Sequence, residues 1–126
     1  MKLKNILRGL LTEIANREEI INCIKKRKVC IIYYDGDDPY GTGQRLIEPV
    51  CLGISKAGNT VLRAWDIEGA SQSASLGEQP LPGWRLFDIN KITSLQPTNE
   101  IFNEMRPGYN PNGDKSMISV IINSKF

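Results

Sequence analysis

Four basic side chains on strand-like runs are the residues of this chain best suited to chemistry. Arg45 lies in Arg45-Leu46-Ile47-Glu48-Pro49, Arg63 in Gly58-Asn59-Thr60-Val61-Leu62-Arg63-Ala64-Trp65-Asp66, and Arg85 and Lys91 in Trp84-Arg85-Leu86-Phe87-Asp88-Ile89-Asn90-Lys91-Ile92. Strand alternation puts Val61, Arg63 and Trp65 on one face of their run, and Arg85 with Phe87 and Ile89 on one face of theirs. An arginine beside an aromatic ring offers bidentate donors for phosphate and flat surfaces for stacking a base. The candidate binding residues are therefore Arg45, Arg63, Trp65, Arg85, Phe87 and Lys91. They come from different runs, so only a fold brings them together, and a small barrel with a basic face would do so. Each could equally be a solvated strand residue or pair with Glu48, Asp66 or Asp88.

Composition narrows the remaining chemistry. The chain has no histidine, which excludes histidine-based triads and the commonest metal sites. Cys23, Cys30 and Cys51 have no paired spacing and read as buried apolar thiols in a reducing cytoplasm. No motif supplies a nucleophile with its base, so the expectation is a non-enzyme without catalytic residues, metal or cofactor. A net charge of +2 does not by itself identify a nucleic-acid binder. Asp35-Gly36-Asp37-Asp38-Pro39 is too short a ligand series for calcium and reads as a solvated turn. Gly41-Thr42-Gly43 is followed by neither the Lys-Ser/Thr nor the helix of a phosphate loop.

The elements that must position these residues are legible from hydrophobic period. Leu3, Ile6, Leu7, Leu10, Leu11 and Ile14 recur at three and four residues and predict an amphipathic helix. Arg8, Thr12 and Glu13 break the continuous apolar run of a signal peptide, and no window approaches the ~18 apolar residues of a membrane span. Asn16 with Glu19 reads as a capping box opening a second helix, with Ile20, Ile21 and Ile24 buried. The acids in its first turn and Lys25, Lys26 and Arg27 in its last complement the helix dipole, which accounts for the basic run without a phosphate.

From Val29 the run Val29–Tyr34 is apolar on both faces and predicts a central strand. Strands are predicted over Leu46–Ile54, with Pro49 at a bulge or edge, and over Thr60–Ile67 after a Lys56–Asn59 hairpin turn. Two more follow over Trp84–Ile89 and Ile92–Gln96. Glu68–Pro82 has the composition of a loop and is long enough to be functional. Arg106–Gly113 reads as an ordered turn region leading to a half-buried strand, Met117–Asn123.

In order and spacing, these elements resemble the WYL domain, a ligand-sensing module of bacterial and phage regulators. The family's early arginine-plus-Glu-Pro element matches Arg45, Glu48 and Pro49. Its later Arg-x-Phe-Arg-Leu-Asp-Arg-Ile element aligns with Arg85–Ile92, where Arg85, Phe87 and Ile92 match, Ile89 and Lys91 are conservative, and Asp88 and Asn90 depart. Thr60-Val61-Leu62 stands at the Trp-Tyr-Leu triplet and keeps the leucine. The resemblance covers about Asn22 to Gln96 and is nearest to short stand-alone phage or prophage members. It implies a five-stranded Sm-like or SH3-like barrel after a helix, and binding of single-stranded nucleic acid or a nucleotide-derived ligand through Arg45, Arg85 and Lys91.

The sequence thus predicts one α+β domain. Two N-terminal helices occupy residues 1–28, a five-stranded Sm-like or SH3-like β-barrel residues 29–97, and a turn region with an extra C-terminal strand residues 98–126. Its expected role is non-catalytic and regulatory, in the cytoplasm and off the membrane: binding nucleic acid or a nucleotide ligand, with homo-oligomers allowed. The alternative is a protein-interaction module acting on a host or phage protein through a barrel edge or the last strand.

Overall fold

Where the apolar period changes from helical to extended, the chain passes from one helix into a β-sheet. The structure, a computed structural model, describes residues 16–36, 41–69, 81–110 and 115–126. Helix α1 covers 16–26, and the strands are β1 (Lys28–Tyr34), β2 (Gly43–Ser55), β3 (Thr60–Gly69), β4 (Gly83–Asp88), β5 (Ile92–Ile101) and β6 (Met117–Asn123). A one-turn 3-10 helix, Ile89–Lys91, joins β4 to β5 and is capped by the Asp88 side chain, which accepts from the Asn90 amide.

The sheet is antiparallel with order β4-β3-β2-β1-β5, and β6 pairs with β2 off this path. This corrects the closed five-stranded barrel expected from the sequence. The sheet has six strands and is open, because β4 and β5 end on opposite sides of it and do not pair among the described residues. The two-helix expectation is corrected as well: α1 is the one helix among the described residues, and the amphipathic segment from Leu3 to Ile14 lies outside them.

The described part of the helix begins at Asn16, whose side-chain amide donates to the Ile92 carbonyl at 2.7 Å. The helix ends at Arg27, which adopts a left-handed φ of 53°, a conformation that stops helix propagation.

Length and bulges let β2 serve three partners. Residues Gly43–Ile47 pair with β1, Cys51–Ser55 pair with β6 on the same side, and β3 runs along the other edge. The ladder shifts register between Pro49 and Cys51, where proline has no amide hydrogen to donate.

One face of the sheet, here called inner, packs Ile32, Ile47, Leu52, Leu62 and Phe87 against Ile20, Cys23 and Ile24 of α1. The Cys23 and Cys30 thiols interact across this seam, which raises the Cys30 pKa and lowers that of Cys23, and the Cys30 thiol donates to the Lys28 carbonyl at 3.4 Å. All three cysteines are buried. The outer face carries a second apolar cluster of Val29, Val50, Cys51 and Phe102, with Trp84, Tyr109 and Met117 packed on it.

Gly53 marks where β6 presses onto β2. A Cβ there would lie 2.5 Å from the Ser119 carbonyl oxygen and 2.6 Å from the Met117 sulfur, and the former is backbone that cannot swing aside. Gly53→Ala is therefore expected to destabilise the protein by ~1–2 kcal/mol and to loosen β6. Limited proteolysis should then cut within β6 earlier than in wild type; an unchanged digestion rate would show that β6 is held elsewhere.

Candidate ligand site

Register divides the six predicted binding residues between the two faces. Ala64 of β3 pairs with Arg85 of β4, and Trp65 with Trp84, so Arg85 and Phe87 share the inner face with Leu62, Ala64 and Asp66. Arg63 and Trp65 point the other way. One face cannot therefore present all the arginines to one ligand.

On the inner side, Arg45 is only 6% exposed. Its guanidinium donates to Asp66 Oδ2 at 3.1 Å and to the Gly41 carbonyl at 2.7 Å. It lies over the rings of Tyr34 and Phe87, at 5.2 and 5.1 Å from their centroids. These rings meet edge to face at 4.9 Å, so the cation is held between two aromatic surfaces as well as by its carboxylate.

Asp66 is fully buried, and its Oδ1 accepts no hydrogen bond from the described residues. Burial pushes its carboxyl pKa up, and the attraction of Arg45 and Arg85 does not bring it back. Burial likewise lowers the Arg85 pKa, with Arg45 acting in the same direction and Asp66 opposing. In this cluster desolvation outweighs ion pairing, as expected where charges leave water together. Lys91 stands at the same end of the sheet, where its carbonyl accepts from the Asp35 amide at 2.9 Å and the Tyr34 hydroxyl accepts from the Asp88 amide at 3.0 Å.

The outer side is built differently. A buried Glu48 receives two hydrogen bonds from Arg106, at 2.9 and 2.7 Å, and this guanidinium lies 5.6 Å from the Trp65 ring centroid. The carboxylate raises the Arg106 pKa. Trp84 stands edge to face on Trp65 at 5.3 Å and donates its indole N–H to the Pro107 carbonyl at 2.7 Å. Tyr109 lies 6.4 Å from Trp84 between centroids and donates its hydroxyl to the Ser124 carbonyl at 2.6 Å. The segment after β5 is thus clamped across β2, β3 and β4.

Between this segment and the sheet lies a pocket of about 190 Å³, lined by Val50, Cys51, Arg63, Trp84, Gly108, Tyr109 and Asn110. Two aromatic rings, a guanidinium and a carboxamide converge there. Gly108, at a φ of 87°, comes close enough to Trp84 that a Cβ would lie 3.2 Å from its indole nitrogen.

Of the sequence-predicted residues, Arg63 lines the pocket and Trp65 stands behind it. Arg45, Phe87, Arg85 and Lys91 gather around Tyr34 and Asp66 on the inner side. Tyr109, Asn110 and Arg106 had no signal in the sequence beyond the ordered look of Arg106–Gly113, of which residues 111–114 lie outside the described residues. So does most of the 68–82 loop, at residues 70–80, and residues 37–39 of the acidic turn. Among the described residues no three histidine, cysteine or carboxylate groups gather as a metal site, and no helix is long and apolar enough to cross a membrane. Comparison with protein-family models, with curated proteins and with solved structures gives no match to this chain.

Proposed function

We propose that this chain is a non-catalytic binding module that takes a nucleotide, free or within a single strand, on the outer face of its sheet. The observation that carries this reading is the pocket where Arg63 meets Trp84, Tyr109 and Asn110. Its volume of about 190 Å³ is below the ~300–1,000 Å³ of pockets for drug-sized ligands, and suits one planar base. Aromatic rings stack a base for ~1–3 kcal/mol without demanding a sequence. Asn110 and Arg63, each already held by a contact of its own, add a carboxamide and a guanidinium to the lining, the group types that meet a base edge and a phosphate. The resemblance to WYL domains points to the same class of ligand. Arg45, by contrast, is committed to Asp66, Gly41 and two rings, and serves the fold in this account.

The test uses the chain's own fluorescence, because Trp84 lines the pocket and Trp65 stands edge to face on Trp84. Nucleoside 5′-monophosphates and short single-stranded DNA and RNA are titrated against wild type and Arg63→Ala. Binding should quench the indole emission and weaken with salt. The variant should bind ~10–100-fold more weakly, the worth of one charge-assisted hydrogen-bonding group. Absence of quenching by every probe, with both proteins folded, would overturn the reading.

A further inference from the structure

Among the described residues, three strands of the open sheet have an outer edge, and one of these edges carries less of the usual protection. β5 (Ile-Thr-Ser-Leu-Gln-Pro-Thr-Asn-Glu-Ile) carries Pro97, Glu100 and a run of polar residues, and β4 is only six residues long. Proline, charge and shortness are the devices that stop an edge from pairing with another chain. β6, only one residue longer than β4, lacks the first two. Its seven residues, Met-Ile-Ser-Val-Ile-Ile-Asn, hold neither charge nor proline, and among the described residues it pairs with β2 alone.

It buries only part of what it carries, Met117 and Ile122 against the two apolar clusters. Ile118 is 66% exposed, Ile121 41% and Val120 38%, apolar side chains on both faces of the strand. This differs from the half-buried strand that the alternation predicted. A groove of about 460 Å³ runs beside it, lined by Val120, Ile121, Ile122 and Asn123 and bordered by Lys25 and Lys125.

The charges decide what fits. Antiparallel pairing of β6 with its own copy, centred on Val120, would set Lys115 against Lys125 of the second copy at both ends. Two like-charge contacts oppose such a dimer, in the way that lysines flanking an apolar strand guard against self-association. The same lysines attract a strand with carboxylates at its ends. We infer that β6 is a docking edge for an extended segment of another protein, apolar and β-branched in the middle and acidic at its ends. The segment adds as a further strand, its backbone pairing with β6 and its carboxylates meeting Lys25, Lys115 and Lys125. This surface is separate from the pocket around Arg63.

The test uses the whole chain and two fluorescent probe peptides, Asp-Glu-Val-Thr-Val-Thr-Val-Glu-Asp and the same peptide with lysine at its four acidic positions. Fluorescence anisotropy should show that the acidic peptide binds, that salt weakens it, and that the lysine peptide does not bind. Lys25→Glu with Lys125→Glu should weaken binding about tenfold, the sum of two exposed ion pairs. Ile121→Lys, at an exposed position the fold does not need, should abolish it, while Arg63→Ala should leave it unchanged. Equal binding of both peptides, or of neither, would overturn the inference. So would self-association in sedimentation that Ile121→Lys abolishes, because the occupant would then be a second copy.

Discussion

Arg45→Ala is expected to destabilise the fold by about 3–5 kcal/mol at neutral pH, the cost of leaving a buried charge without its partner. Asp66 would lose the guanidinium that faces its Oδ2, and Tyr34 and Phe87 would lose the cation between their rings. The pH dependence follows from Asp66, whose folded pKa burial holds above its unfolded value. Such a group contributes stability below its unfolded pKa, and that contribution is lost as pH rises through the folded pKa. Removing Arg45 takes away an influence that lowers this pKa, so the variant loses more stability with rising pH than wild type does. The difference in urea-unfolding free energy should be widest at neutral pH and should narrow as acidification makes Asp66 neutral. Arg45→Met combined with Asp66→Leu should recover much of the loss, because it removes both charges and keeps the volume. A difference below ~1 kcal/mol, or one that ignores pH, would reduce the pair to the worth of a surface ion pair.

Arg106→Ala is the second large effect, and it reaches the proposed site from outside. The arginine is itself largely exposed, but the carboxylate it holds is buried and would lose both hydrogen bonds. A loss of about 2–3 kcal/mol follows for charge-assisted bonds to a buried acceptor. Gly108, Tyr109 and Asn110 lie on the segment that this contact clamps, and all three line the pocket. The variant should therefore bind the nucleotide probes at least ~10-fold more weakly, although Arg106 is not in the pocket wall. Urea unfolding and indole quenching measured on the same sample separate the two effects. Wild-type affinity in a destabilised variant would mean that the pocket forms without the clamp.

The strands were legible because local rules govern them. β-branched and aromatic runs, the Lys56–Asn59 turn and the bulge near Pro49 each follow from a residue's own geometry. Closure of the sheet was not legible. It would require β4 to meet β5, and whether two distant edges hydrogen-bond is decided by how far β2 bends and which strand takes its second half. β6 takes that place, beyond the end of β1. Asn16 illustrates the same limit at one residue: its side-chain amide satisfies a carbonyl on β5, a tertiary demand that no local motif records.

Alternation grouped Arg63 with Trp65 and Arg85 with Phe87. That the two groups face opposite sides depends on the pairing of Ala64 with Arg85, which is a property of two strands and not of either sequence. The pocket's other wall comes from Gly108–Asn110, more than forty residues from Arg63 in the chain. Residue types there suggest a turn, and only packing of Trp84 against Tyr109 gives them a role.

A ¹H–¹⁵N correlation spectrum of the labelled chain, titrated with nucleoside 5′-monophosphates, locates a bound nucleotide residue by residue. The Trp84 indole signal and the amides of Arg63, Gly108 and Asn110 are expected to shift together and saturate, while the amides of Tyr34, Arg45 and Asp66 stay in place. Shifts centred on Tyr34, Arg45 and Arg85, or a spectrum that none of the nucleotides changes, would contradict the proposed site.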